Sequence, residues 1–154
     1  NYNFHHGYIG DYAGNEEIVL MYAMGLFNLA AEQEAREANA TVEKLEGLAG
    51  DSRYAGNEEI VLEYAKGLVN LTADQGVKKA EITVNALAKL ASDDQYEESK
   101  KIVLEYAKGL YNLAAKQEEK EAETTMKNLE GLYRNRRYNN CLPKTIKEYY
   151  IHTF

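Results

Sequence analysis

The sequence predicts an all-α protein, an α-solenoid of three stacked helix-turn-helix repeats with a C-terminal capping helix. A nine-residue segment recurs at intervals of 42 residues, as IVLMYAMGL, IVLEYAKGL and IVLEYAKGL at residues 18–26, 60–68 and 102–110. Around each copy, apolar residues recur at the helical spacings of three and four. The chain contains one proline and lacks the proline-rich stretches that would interrupt such helices.

The 42-residue period divides the chain into three copies between two flanks. The first two copies are identical at 24 of 42 positions and the last two at 20 of 42, which is too many for unrelated segments. Repeats of this length are typical of stacked helical arrays, in which about three units are needed for stability. The copies and then the flanks are residues 12–53, 54–95, 96–137, 1–11 and 138–154.

The two flanks receive different predictions. Residues 1–11 have no helical pattern and should be irregular. In the second flank, Pro143 biases the preceding residue away from helical geometry. Residues 144–154 then carry apolar side chains at roughly helical spacing, which predicts a short helix that caps the third copy.

The first helix of each copy should begin after a capping residue, which is Asn57 in the second copy and Asn15 and Ser99 in the others. Its apolar arc is wide enough to be buried against two neighbouring helices. In the second copy this arc contains Ile60, Val61, Tyr64, Ala65, Leu68, Leu71 and Thr72. The tyrosines at the equivalent positions, Tyr22 and Tyr106, are assigned to the core by the same spacing.

The second helix of each copy has a narrower apolar stripe and should face water on its far side. In the second copy it follows a turn at residues 75–77 and carries Ala80, Thr83, Val84, Leu87 and Leu90. Tyr12, Tyr54 and Tyr96 open the repeats and should pack in the turns between them.

A glycine occupies the middle of each first helix, at Gly25, Gly67 and Gly109. Glycine within a helix costs about 1 kcal/mol relative to alanine. Its recurrence therefore predicts that another helix crosses closely at this position. Persistence of the ancestral residue after duplication is the alternative.

Several of these residues match a known repeat. Asn70, Leu71 and Thr72 match the Asn-Leu-Gly segment of tetratricopeptide repeats, and Ala80 matches the small residue of their second helix. The chain therefore resembles a tetratricopeptide-like (TPR-like) helical-hairpin protein over residues 12–137, and armadillo and HEAT repeats are the alternative. The resemblance implies a scaffold that binds a peptide or partner protein along a concave surface lined by the first helices.

Composition argues against several other functions. The formal net charge of −7 disfavours a nucleic-acid partner, because phosphate binding needs clustered basic residues and the only dense cluster is at Arg134, Arg136 and Arg137. No apolar run approaches the length that spans a bilayer. The single cysteine, Cys141, fits a reducing compartment, so we expect a cytoplasmic protein. The first residues carry no signal-peptide pattern, and the absence of an initial Met is compatible with a piece of a longer chain.

No catalytic constellation stands out, and we expect no enzymatic activity and no cofactor. The histidines, His5, His6 and His152, lack a third ligand at metal-binding spacing, so we expect no metal site. Carboxylates are plentiful, but they occur at predicted helix starts and on outer faces, and no acid–base pair is singled out.

The predicted partner-binding surface is a polar strip along the first helices. We predict that these side chains are exposed and that their asparagines pair with the backbone of an extended peptide while the methionines accept an apolar anchor. In the alternative, the asparagines tie adjacent helices together and the methionines pack under the N-terminal flank. A second function class is a structural module that self-associates through its open solenoid ends. The strip consists of Met21, Met24, Asn28, Glu63, Lys66, Asn70, Glu105, Lys108 and Asn112.

Overall fold

A computed structural model describes residues 15–96 and 98–135, which contain six α-helices, one 3₁₀ helix and no β-strand. The all-α prediction is therefore confirmed for this part of the chain. The predicted irregular flank at 1–11 and the predicted capping helix at 144–154 lie outside the described residues. The α-helices are α1 (Glu16–Glu32), α2 (Ala35–Ala49), α3 (Glu58–Asp74), α4 (Val77–Ser92), α5 (Lys100–Ala114) and α6 (Glu119–Arg134), with the 3₁₀ helix at Ser52–Tyr54.

The first helix of each copy begins at the predicted capping residue. The side-chain oxygen of Asn15 accepts a hydrogen bond of 3.2 Å from the backbone N–H of Ile18. Asn57 and Ser99 make the equivalent bonds at 3.1 and 3.2 Å. Each bond satisfies one of the backbone donors that a helix leaves free at its N-terminus. The predicted starts of α1, α3 and α5 are confirmed.

The turn within each hairpin is closed by a bond that repeats in all three copies. The hydroxyl of Thr41 in α2 lies 2.6 Å from Oε1 of Gln33, and it also approaches the carbonyl oxygen of Glu37 at 3.1 Å. The corresponding Thr–Gln distances in the second and third copies are 2.8 and 2.6 Å. The hydroxyls of these threonines are buried, so the glutamine supplies a partner that water does not.

The described residues fall into two compact units, which divide between Gly67 and Leu68 within α3. In the first unit α1 packs against α2, and Val19, Tyr54 and Ile60 form a buried cluster. In the second unit α5 packs against both α4 and α6. The core of that unit consists of Ala80, Val84, Ala107, Leu110, Leu113, Ala114, Met126 and Leu129.

Two of the three glycines in the first helices lie at close helix crossings. A methyl group added to Gly67 in α3 would lie 3.2 Å from Cγ2 of Val42 and 3.3 Å from Cδ1 of Leu45 in α2. One added to Gly109 in α5 would lie only 2.5 Å from Cδ1 of Leu87 in α4. The prediction of a close crossing is confirmed at both positions. It is wrong at Gly25, where nothing lies within 4 Å of an added methyl group.

Candidate partner-binding surface

The predicted polar strip is not a continuous exposed surface. Glu63 and Glu105 are each only 7% exposed, so the prediction that they face solvent is wrong. Each carboxylate instead pairs with the lysine three residues later, Lys66 at 3.1 Å and Lys108 at 3.2 Å. This pairing, one turn along the helix, gives each buried glutamate a cationic partner while the lysine side chain stays partly exposed.

The side chain of Lys66 makes a second contact in the first unit. Its ammonium group lies 4.6 Å from the ring centroid of Phe27 in α1, within the range of a cation–π interaction. Lys66 is therefore held by a carboxylate and an aromatic ring. This part of the predicted strip holds α1 and α3 together.

The asparagines of the strip differ from copy to copy. Nδ2 of Asn112 in α5 donates a 3.0 Å hydrogen bond to Oγ1 of Thr72 in α3, and Asn112 is half-buried. At this position the alternative prediction, in which asparagine ties helices together, is confirmed. Asn28 and Asn70 are exposed.

The exposed apolar residues concentrate on α1. Met21 is 70% exposed and Met24 is 47% exposed, so both are accessible, as predicted. Beside them lie three further exposed apolar side chains and the open Gly25, spaced so that they share one side of the helix. We call this surface the α1 face, and it consists of Ile18, Met21, Tyr22, Gly25 and Leu29, with Met24 and Asn28 at its edge.

The same positions are covered on the later first helices. Ile18 is 44% exposed, whereas its equivalents Ile60 and Ile102 are fully buried. Leu29 is 48% exposed, whereas its equivalents Leu71 and Leu113 are buried. The wide apolar arc predicted for every first helix is thus covered on both sides in α5 and is left open on one side in α1.

The tyrosines on this side of the first helices show the same contrast. Tyr64 is buried, and its burial, helped by the nearby carboxylate of Glu46, raises the pKa of its phenol to about 12. Burial also raises the pKa of the half-buried Tyr106. Tyr22 is 43% exposed, so its assignment to the core is wrong. Of the tyrosines that open the repeats, Tyr54 and Tyr96 are buried, and Tyr54 packs between copies against Val19 and Ile60, as predicted. Tyr12 lies outside the described residues.

The charges of α1 are all of one sign. The helix carries Glu16 and Glu17 in its first turn and Glu32 at its end, and it contains no lysine or arginine. The α1 face is therefore an apolar surface bordered by Glu17 and Glu32, whereas the carboxylate of Glu16 accepts a hydrogen bond from Nδ2 of Asn57. A helical-wheel analysis could have found its apolar residues, but it could not show that no described helix covers them.

No protein-family model, curated protein or solved structure matches the chain. Among residues 15–96 and 98–135, no group of three or more His, Cys, Asp and Glu side chains could hold a metal ion. None of the described helices is both long enough and apolar enough to cross a membrane. What the described residues do show on α1 is a set of exposed apolar side chains bordered by Glu17 and Glu32.

Proposed function

We propose that this chain is a non-enzymatic protein-binding module that holds a segment of another protein on the α1 face. The observation that carries the proposal is the exposure of five large apolar side chains on one helix. They are Ile18, Met21, Tyr22, Met24 and Leu29. Contiguous exposed apolar surface with a polar margin is typical of protein interaction sites. Methionine suits such a site because its flexible side chain adapts to the shape of a partner.

We also propose that the three copies form a TPR-like α-solenoid, with the α1 face at its first end. Two contacts of one kind support this arrangement. The second helix of the first copy, α2, covers Gly67 of α3, and the second helix of the second copy, α4, covers Gly109 of α5. Each first helix that follows another copy is thus covered by the helix before it, as in a stacked repeat array.

Partner binding is favoured over the other candidate, end-to-end stacking of identical chains. In such a stack α6 would have to present the equivalents of Val42 and Leu45 to the α1 face of the next chain. Those equivalents, Met126 and Leu129, are already buried, at 0% and 1% exposure. The face that stacking would require is therefore not free on α6.

The proposal can be tested with a displayed library of 15-residue helical peptides, selected against the intact chain. The selected peptides are then measured against a double variant of the α1 face, Ile18→Asp with Leu29→Asp. We expect binding to be lost, because two charges would be placed within the apolar contact. The melting temperature should change little, since both side chains are exposed.

A matched control is Ile82→Asp in α4, where an isoleucine that is not part of the α1 face is 70% exposed. This variant should bind the selected peptides as the wild type does. Equal loss of binding in both variants, or a library that selects no peptide, would contradict the proposed function. Sedimentation at several concentrations provides the second check, because concentration-dependent growth in mass would favour self-association.

A further inference from the structure

We infer that the occupant of the α1 face is a basic amphipathic α-helix of a different protein, which docks as α4 docks on α5. This inference rests on the proposed function and specifies the partner of the same surface. It commits to a helix with aliphatic residues three positions apart, seated against Gly25, and with lysine or arginine near its ends.

The register of the two internal contacts supplies the first argument. Val42 and Leu45 of α2 meet Gly67, and Val84 and Leu87 of α4 meet Gly109. The two pairs are 42 residues apart, which is one repeat. Both covering helices therefore use the same two repeat positions against the equivalent glycine of the next copy. Gly25 is the third glycine of this set, and space remains around it. The surface on α1 is thus equivalent to the surfaces of α3 and α5 that α2 and α4 cover.

Charge supplies the second argument. Glu17 and Glu32 border the α1 face, and α1 contains no basic residue. Among the two internal covering helices, α4 is the basic one, with Lys78, Lys79 and Lys89 against Glu81. Opposite charges at the margins of an apolar contact favour encounter and fix the orientation of the partner. A basic helix therefore complements the acidic margin of α1. The internal contact of α4 supplies the register of docking and not the charge, since α5 itself begins with Lys100 and Lys101.

Among the described residues, no helix offers such a ridge to a second copy. The aliphatic ridges of α2, α4 and α6 are all buried within their own units. Pairing of two α1 faces would bring glutamates together without a compensating cation, and like charges across an interface oppose association. Since no free helix of this kind remains within residues 15–96 and 98–135, the proposed occupant is a different protein.

The test uses a synthetic peptide with the sequence of residues 77–92, blocked at both ends and labelled with a fluorophore. Binding to the intact chain is measured by anisotropy, and the contact is mapped by NMR on isotope-labelled protein. We expect perturbed signals at residues 18–29. Affinity should fall as salt rises, since the acidic margins contribute to binding.

Two variants separate this docking from a general apolar attraction. Gly25→Leu fills the space beside the helix, so we expect binding to weaken by about tenfold or more. Gly47→Leu is the matched control, because Gly47 in α2 is also exposed and also has nothing within 4 Å. A peptide with Lys78, Lys79 and Lys89 changed to Glu should bind several-fold more weakly than the original.

The outcomes distinguish the inference from the proposed function. If the library selects acidic or non-helical peptides that bind the α1 face, this inference is wrong and the proposed function stands. If neither the library nor the basic peptide perturbs residues 18–29, both are wrong. Binding that appears only after residues 1–14 are removed would assign the face to this chain's own N-terminal segment and overturn the inference. Equal weakening by Gly25→Leu and Gly47→Leu would also overturn it.

Discussion

Helices α1 and α5 carry the same isoleucine, valine, leucine, tyrosine and glycine at the same repeat positions, but they have different surroundings. Helix α5 contacts α4 on one side and α6 on the other, and its Ile102, Gly109 and Leu113 are buried. On α1 the side that faces α2 is buried, whereas the equivalents Ile18, Gly25 and Leu29 are exposed. The same apolar residues therefore act as core in one copy and as an accessible surface in another.

Two contributions to stability differ between these helices: formation of the helix itself and burial of its second side. Helix formation needs the cap, the propensities of the residues and one packed side, and α1 has all three. Burial of the second side adds stability only where another helix supplies the cover. A side that is not used for folding remains available for a partner. Substitutions at equivalent positions should therefore have different effects in different copies.

The largest difference is expected between Ile60→Ala and Ile18→Ala. Ile60 is fully buried, so its truncation should reduce the free energy of unfolding by about 2–5 kcal/mol. Ile18 is 44% exposed, and its truncation should change this quantity by less than about 0.5 kcal/mol. Urea unfolding of both variants measures the difference. Similar losses would mean that the α1 face is covered in solution.

The second difference concerns the three glycines, each changed to leucine. Gly67→Leu and Gly109→Leu place a side chain against α2 and α4, where an added methyl group alone already meets close neighbours. Overpacking of this kind costs about 1–3 kcal/mol. Gly25→Leu meets open space and should gain up to about 1 kcal/mol from helix propensity.

Thermal unfolding of the three glycine-to-leucine variants ranks their stabilities directly. Helix propensity changes alike in all of them, so any difference in melting temperature reports the neighbouring helix. Truncation of Leu87 to alanine in the Gly109→Leu variant should recover part of the loss, because Leu87 is the nearest contact. A stabilised Gly67→Leu or Gly109→Leu variant would contradict the close crossings.

These differences also mark what could be predicted from the sequence. Capping residues, hairpin turns and the buried arc of α3 follow from local patterns, and they agree with the structure at Asn15, Asn57 and Ser99. Such features depend on neighbours within a few residues along the chain. Because the repeat period is 42 residues, each of these local patterns occurs three times in the sequence, which strengthens its prediction.

The surroundings of each copy could not be read from the same patterns. A helical wheel treats Tyr22 and Tyr64 alike, because it contains no information about which helix lies opposite. Glu63 was predicted to be exposed because its spacing places it on the polar strip of the first helix, with Lys66 and Asn70. Its pairing with Lys66 within a helix contact reverses that expectation. A glutamine and a threonine occur at the positions of Gln75 and Thr83 in every copy, which could have been noticed in the sequence. The hydrogen bond between them became apparent only in the structure.

A smaller difference is expected among the asparagines. Asn112→Ala removes the hydrogen bond to Thr72 and should cost about 0.5–1.5 kcal/mol. The hydroxyl of Thr72 keeps its 2.6 Å bond to the carbonyl oxygen of Val69, so the loss should not be larger. Asn28→Ala and Asn70→Ala remove exposed side chains and should leave the unfolding free energy almost unchanged.

Chemical unfolding of the three alanine variants, each beside the wild type, tests this order. Equal losses at all three positions would mean that the asparagines play one common structural role. If Asn70→Ala and Asn112→Ala together abolish binding of a selected peptide without affecting the melt, the polar strip rather than the α1 face would be the binding surface.

The smallest expected difference in stability at neutral pH concerns Tyr22, Tyr64 and Tyr106, the equivalent tyrosines of the three first helices. This difference grows at alkaline pH. Burial raises the pKa of Tyr64 to about 12, above the ordinary value near 10 that the unfolded chain retains. The native state therefore holds this proton more tightly, and its contribution is complete below about pH 10 and is lost as the pH rises toward 12. Tyr64→Phe should reduce the fall in stability over this range, and Tyr106→Phe should reduce it further, because burial raises the pKa of that phenol as well. Melting temperatures from pH 8 to 11 measure how steeply stability falls with pH, and tyrosinate absorbance reports the ionisation.

Tyr22→Phe supplies the equivalent change on α1, where the ring is 43% exposed. If it altered the slope as much as Tyr64→Phe does, the α1 face would have to be covered, and the contrast between α1 and the later first helices would fail.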